Sequence, residues 1–348
     1  MDISIIIPTK NRIKYLLRVL KYYENLKFNG KIILVDGSSD EKYNEICQNI
    51  KIFKLDIEIY KSSFVPLLAI REIIDKVNTK YVTTMGDDDY QIPQGLQKSI
   101  NILDSRVDII GCHGIGLIIQ DPIYNKNYKI TDPGLYPGPH TLQDSPYERL
   151  IYQLENYACP SFSVFRTKSY QNIFGNLNNN DILKNCKDRL IHDELLHSAL
   201  MVIEGKIIRE NFLQVIRGHH PGRKIDKDHW KSMADKKDRI DSINYYTTIV
   251  TKRLLFKTNI SKKQTMIISQ ALKNFILSYE KNKEPVNIYS YRLIIKKIFR
   301  YLGILNTFFF IRELFFKNEF KIKNLLNKKS IYYNDFRQVY DSIMNFKS

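Results

Sequence analysis

Ile3-Ser4-Ile5-Ile6-Ile7-Pro8-Thr9-Lys10-Asn11-Arg12 is the stretch whose reading decides the fold. Its first five residues are a near-continuous β-branched run, as in a strand buried on both faces, and Pro8 stops it. Thr9 to Arg12 then make a polar loop, behind which Tyr15, Leu16, Val19, Leu20 and Tyr23 recur at helical spacing. The alternation returns at Lys31-Ile32-Ile33-Leu34-Val35, where Asp36-Gly37-Ser38-Ser39-Asp40 supplies a turn and an N-cap for a helix from Glu41 to Asn49. A third short strand is expected at Ile57 to Tyr60, a helix at Pro66 to Val77, and a fourth strand at Tyr81 to Met85. Repeated β–α units predict an α/β fold, a mainly parallel sheet flanked by helices.

The fourth strand runs into Gly86-Asp87-Asp88-Asp89-Tyr90. Three adjacent carboxylates repel one another, and at the end of a buried strand a divalent cation is the usual neutraliser. Oxygen-only ligands suit a hard ion, Mn²⁺ or Mg²⁺. A solvated acidic turn is the competing reading of the tripeptide alone. In parallel sheets, however, ligands sit beyond the carboxyl ends of the strands. The loops holding Thr9, Asp36 and Asp87 to Asp89 all follow strands, so they should converge on one edge.

The three strings, in this order and spacing, resemble the N-terminal half of a family-2 glycosyltransferase with the GT-A (Rossmann-like) fold, of the bacterial surface-polysaccharide type. The likeness covers roughly residues 1–225. It implies that Pro8, Thr9, Asn11, Arg12 and Asp36 hold the base and ribose of a nucleotide sugar, while the acidic "DXD" motif binds the metal on its diphosphate. A divalent ion there would offset charge accumulating on the leaving group. Relatives commonly read Asp-x-Asp-Asp-Tyr, and here Gly86 stands where their first Asp does. Asp88 becomes the leading metal ligand, with Asp87 and Asp89 helping directly or indirectly.

A helix is expected over Leu96 to Leu103 and a strand over Val107 to Ile110. From Gly111 to Pro146 Gly and Pro are interleaved with Tyr and His, which predicts a long loop, either an acceptor-facing flap or a plain surface excursion. Cys159 to Arg166 alternates as a strand. The segment Leu190-Ile191-His192-Asp193-Glu194-Leu195 resembles the family's catalytic Glu-Asp pair, with His192 in the place of the Glu. Inverting transfer needs a carboxylate to take the acceptor hydroxyl's proton, which assigns Asp193, or alternatively Glu194, as that base. Asp at a helix start is also a common N-cap. On a regular α-helix His192 and His197 would not share a face, so a zinc site is not expected. Gly205 to Ile208 and Phe212 to Ile216 should be closing strands. By the same resemblance, Arg217-Gly218-His219 supplies an anion contact in Arg217 and a metal ligand in His219.

With 348 residues, two domains are expected. Eighteen Phe and 23 Tyr give ample material for a packed core. The four cysteines lie far apart, without a CxxC pair, which suggests neither a zinc site nor a disulfide framework. The net charge of +17 is uneven: residues 226–348 carry 25 Lys and Arg against 11 Asp and Glu. Residues 1–225 therefore read as the catalytic domain, and 226–348 as a basic helical one.

In that second part Ile243, Tyr246, Val250 and Leu254, then Ile267, Ala271, Leu272 and Phe275, recur at helical spacing. Beyond Glu284-Pro285, Ile294, Ile295, Ile298, Phe299 and Leu302 oppose Arg292, Lys296, Lys297 and Arg300, a pattern suited to a membrane surface or to self-association. No transmembrane run or leader is visible, so a cytoplasmic enzyme, peripheral on the inner membrane, is expected. It would transfer a sugar to a glycan or lipid-linked acceptor in capsule or O-antigen assembly. Two other classes compete. Nucleic-acid binding by the basic tail has no recognisable reading motif behind it. A nucleotidyltransferase should carry a Gly-rich phosphate loop, which Pro8 to Arg12 lacks.

Overall fold

The computed structural model describes residues 1–63, 66–120, 132–174, 177–219, 236–281 and 319–346. The front half follows the β–α alternation: β1 (Ile3–Thr9), α1 (Ile13–Asn25), β2 (Lys31–Asp36), α2 (Asp40–Asn49), β3 (Asp56–Lys61), α3 (Pro66–Ile73) and β4 (Tyr81–Thr84). These four strands pair in parallel, in the order β3-β2-β1-β4, with Thr9 in register with Asp36. β1 is buried on both faces, which is why its sequence is nearly all isoleucine.

The short β5 (Tyr90–Gln91) and α4 (Pro93–Ser105) lead into β6 (Ile109–Gln120), a twelve-residue strand where a loop was expected. Its glycines do not turn the chain. A Cβ on Gly111 would meet the Phe165 ring, one on Gly114 the carbonyl of Phe212, and one on Gly116 the Tyr136 side chain. They mark close approach, a role glycine has in strands as readily as in turns. β7 (Gly134–Tyr136) pairs antiparallel with β6, so the expected flap is partly sheet; residues 121–131 lie outside the described residues.

α5 (Pro146–Glu155), β8 (Val164–Arg166), α6 (Thr167–Phe174) and α7 (Asn179–Asn185) follow. A π-helical turn, Ile191–Leu195, then opens α8 (Leu196–Glu204). The two expected closing strands are one, β9 (Lys206–His219), bulged where it pairs with β6. Among the described residues the sheet has nine strands, continuing from β4 through β8, β6 and β9 to β5, with β7 beside β6.

The C-terminal helices divide between the two faces of this sheet rather than forming one body. α9 (Lys236–Lys257) and α10 (Lys262–Lys281) join the core beneath α3, α6 and α8, through Tyr246, Val250, Leu254, Ile268 and Leu272. α11 (Ile322–Leu325) and α12 (Tyr333–Met344) join the opposite core, where Phe336, Val339 and Ile343 belong with Leu16, Leu20 and Tyr22 of α1. The basic amphipathic stretch around 292–316 lies outside the described residues. No helix among those described is long and apolar enough to cross a membrane.

Two buried polar groups shape this frame. Arg149 on α5 donates to the carbonyls of Val202 and Ile203 at 2.7 and 3.1 Å, and to those of Gln143 and Asp144 at 2.9 and 2.8 Å. It satisfies orphan carbonyls at the end of α8. Arg149→Leu should lower the unfolding free energy by about 2–4 kcal/mol in urea titration, because those acceptors stay buried without a donor.

His113 on β6 is fully buried, and burial holds its pKa down to about 3. Burial likewise depresses His197 to about 4. The unfolded chain protonates both rings below about pH 6.5, whereas the folded chain resists protonation. Their stabilising contribution is therefore full above that pH and is lost as pH falls toward the depressed values. The thermal midpoint should drop across that window, and less steeply in His113→Gln.

Candidate active site

The site forms where β1, β2 and β4 end side by side. The first two loops are tied together: Gly37 N donates to Thr9 O at 2.9 Å, and Ser62 N to Asp36 O at 2.9 Å. Asp36 is fully buried, and its Oδ1 accepts from the Ser38 backbone amide at 2.9 Å and from the Ser38 hydroxyl. Its Oδ2 has no hydrogen-bond partner, leaving an acceptor to be met by a ligand hydroxyl or N–H. Ser38 Oγ in turn accepts from Asn11 N at 2.7 Å. Asn11 has φ 56°, a left-handed conformation Asn tolerates, and the next residue, Arg12, caps α1. Lys61 Nζ donates to Ser38 O at 2.7 Å, a contact the sequence did not suggest.

The acidic loop is buried: Asp87, Asp88 and Asp89 are 3%, 1% and 1% exposed. Arg12 bridges the first two, Nη1 lying 3.2 Å from Asp87 Oδ1 and Nη2 2.9 Å from Asp88 Oδ2. Thr9 Oγ1 donates to Asp87 Oδ2 at 2.7 Å. Asp89 serves the backbone: Gly218 N donates to Oδ1 at 3.1 Å and Gly86 N to Oδ2 at 3.2 Å, with Arg217 Nε 3.9 Å from Oδ2. Burial pushes the Asp87 carboxyl up to about 7, with Asp88 and Asp89 adding to the rise, while Arg12 and Thr9 only partly offset it. Burial alone would lower the pKa of Arg12, but the charges of Asp87 and Asp88 raise it. Arg217 behaves likewise, with Asp89 as the raising charge. Its guanidinium also stacks 4.7 Å from the Tyr136 ring and 4.8 Å from that of Phe162.

Do these residues fit a divalent ion? Their donors are hard carboxylate oxygens, and three acidic groups face two guanidinium groups, so the loop is short of positive charge. Chemically they fit, with Asp87 and Asp88 the better placed because Asp89 is engaged with amides. No group of three or more His, Cys, Asp or Glu side chains among the described residues is arranged as a ready-made metal cluster. His219 is exposed at the end of β9, and His220 and Pro221 lie outside the described residues.

The third group sits on the π turn. Arg189 Nη2 lies 3.3 Å from Asp193 Oδ2, while Asp193 Oδ1, 2.9 Å from His192 Nδ1, has no hydrogen bond. Glu194 Oε1 accepts from Tyr157 Oη at 2.9 Å, and Tyr157 reaches Ser198 Oγ at 3.1 Å. Cys159 lies 3.8 Å from Ser198 and 3.2 Å from Ser161 Oγ, and Ser161 O accepts from Thr84 Oγ1 at 2.7 Å. A polar chain thus runs from Glu194 to the end of β4, immediately before the acidic loop. Tyr157, Ser161 and Ser198 carried no motif that would have singled them out. His192 lies in the π turn and His197 in the first turn of α8, and both are buried.

This mostly parallel sheet, flanked by helices and with loops gathered at its carboxyl edge, is of the GT-A class. Residues 4–174 match the family model described as "Glycosyl transferase family 2", so this part of the chain is a glycosyltransferase domain of that type. Among solved structures it is similar to S. aureus TarS 1-349, with TM-score 0.50 and 13% identity over 81% of this chain and 74% of that one. The same fragment in complex with UDP-GlcNAc gives TM-score 0.51 and 15% identity over the same shares. TarS from a longer chain gives TM-score 0.50 and 14% identity, over 82% of this chain but 44% of that one. No curated protein matches the sequence.

The division of labour in the acidic loop has a measurable consequence. Asp89→Ala should lower stability by about 1–3 kcal/mol, since the buried amide of Gly218 and the half-buried amide of Gly86 lose their acceptor. Asp88→Asn should leave stability unchanged or raise it, because it relieves repulsion. Urea unfolding of the two variants checks both.

Proposed function

We propose that the protein transfers a sugar from a nucleotide-sugar donor, with inversion and with help from a divalent metal, to a glycan or lipid-linked acceptor. The observation carrying this reading is the continuous polar chain from Asp36 through Ser38 and Asn11 to Arg12, Asp87 and Asp88. It supports a nucleoside pocket directly beside a diphosphate pocket.

Asp36, with its unpartnered Oδ2, and the loop from Pro8 to Arg12 orient the nucleoside. Asp88 and Asp87 would hold Mn²⁺ or Mg²⁺, with Asp89 setting the loop's shape and His219 in reserve at the strand end. When bound, the ion would stabilise charge on the departing diphosphate. Arg217, held between Tyr136 and Phe162, presents a further cation to that anion. Asp193, held by Arg189 and His192, takes the acceptor proton. Glu194 is the alternative base; its bond to Tyr157 argues for a positioning role.

Residues 1–225 would then be the catalytic part, and the basic helices from 226 would bring it to the cytoplasmic membrane face or to a second copy. Surface polysaccharide assembly suits such an enzyme. UDP- and GDP-sugars should be screened for Mn²⁺-dependent hydrolysis and transfer. Asp88→Ala and Asp193→Asn should each lower kcat/KM at least about 100-fold. Full activity in Asp193→Asn combined with its loss in Glu194→Gln would move the base to Glu194.

A further inference from the structure

Arg12 raises a question that the family resemblance leaves open. A guanidinium already sits across Asp87 and Asp88, the two carboxylates best placed for a metal. Both carboxylates are almost fully buried, whereas the Arg12 side chain is 30% exposed and so reaches the rim of the site. A divalent ion and this guanidinium compete for the same oxygens. They also repel each other at the separations a shared pair of carboxylates would impose.

We propose that Arg12 is the resident counter-ion of the donor-free site, and that it leaves Asp87 and Asp88 for the incoming diphosphate, so that metal and nucleotide load together. The inference rests on the metal reading given under Proposed function. Three features carry it. First, one guanidinium satisfies two like charges whose mutual repulsion would otherwise oppose folding. Second, an Arg fork binds phosphate oxygens as well as it binds carboxylates, so a diphosphate arriving with the ion offers it an equivalent partner. Third, the turn aiming Arg12 is tied to the nucleoside pocket. Asn11 holds its left-handed conformation with its amide on Ser38 Oγ, and Ser38 is bonded to Asp36. A nucleoside meeting Asp36 therefore acts on the hydrogen-bonded loop that directs the guanidinium.

The test is Mn²⁺ binding to the full chain, followed by water-proton relaxation and by thermal melting, without and with UDP or GDP. Arg12→Met removes the charge and keeps the stem; Arg12→Lys keeps a charge and serves if the Met variant folds poorly. Wild-type protein should bind Mn²⁺ weakly on its own, and at least tenfold more tightly once the nucleoside diphosphate is present. Arg12→Met should melt at a lower temperature without metal, recover with Mn²⁺ alone, bind that ion at least tenfold more tightly than wild type, and lose most of the nucleotide's enhancement. Arg12→Lys should fall between the two. Equal Mn²⁺ affinity in wild type and Arg12→Met, abolished in both by Asp88→Asn, overturns the role of Arg12 while the metal reading stands. If neither protein binds Mn²⁺ at any nucleotide concentration, the metal reading and this inference fall together.

Discussion

Three consecutive carboxylates buried at the end of a parallel strand are the constraint on which the rest of the site depends. Ionised side chains taken out of water need compensation, and each finds it in a different element. Asp87 takes a hydroxyl from β1 and a guanidinium from the loop after it; Asp88 shares that guanidinium; Asp89 accepts amides from its own turn and from β9. The compensating groups come from positions 9, 12, 86 and 218, so the requirement draws together the start and the end of the sheet. It is also incomplete, as the upward displacement of the Asp87 carboxyl indicates.

The frame around this loop was legible where local chemistry and burial agree. β2 and β4 are short apolar runs ended by Asp36-Gly37 and by Gly86, while β1 continues through Pro8, expected to stop it, to Thr9; the parallel pairing that brings Thr9 beside Asp36 follows from their alternation with helices. What could not be read was of two kinds. In β6, Gly111, Gly114 and Gly116 look like loop residues, yet each makes room for a neighbour distant in the chain, a reason invisible without the partner. In the π turn, nothing in Ile191 to Leu195 marks the wider winding, so a regular α-helical start was the natural reading.

The candidate site divides in the same way. Asp36 and the acidic triplet stand out by type and position. The serine that links two loops and the tyrosine that holds Glu194 are ordinary residues until coordinates place them. Arg12 was expected to face the nucleotide; its observed partners are the very groups assigned to the metal. Sequence motifs report which loops gather, whereas the partner each side chain takes in the absence of ligand depends on charge balance across all of them.

The placement of α12 against α1 has a consequence for biosynthesis. Phe336, Val339 and Ile343 complete an apolar layer whose other side includes Leu16, Leu20 and Tyr22. While the chain emerges from the ribosome, that layer stays open to water until residues 333–344 have been translated. This face of the sheet is thus sealed by residues decoded more than three hundred codons after those they cover.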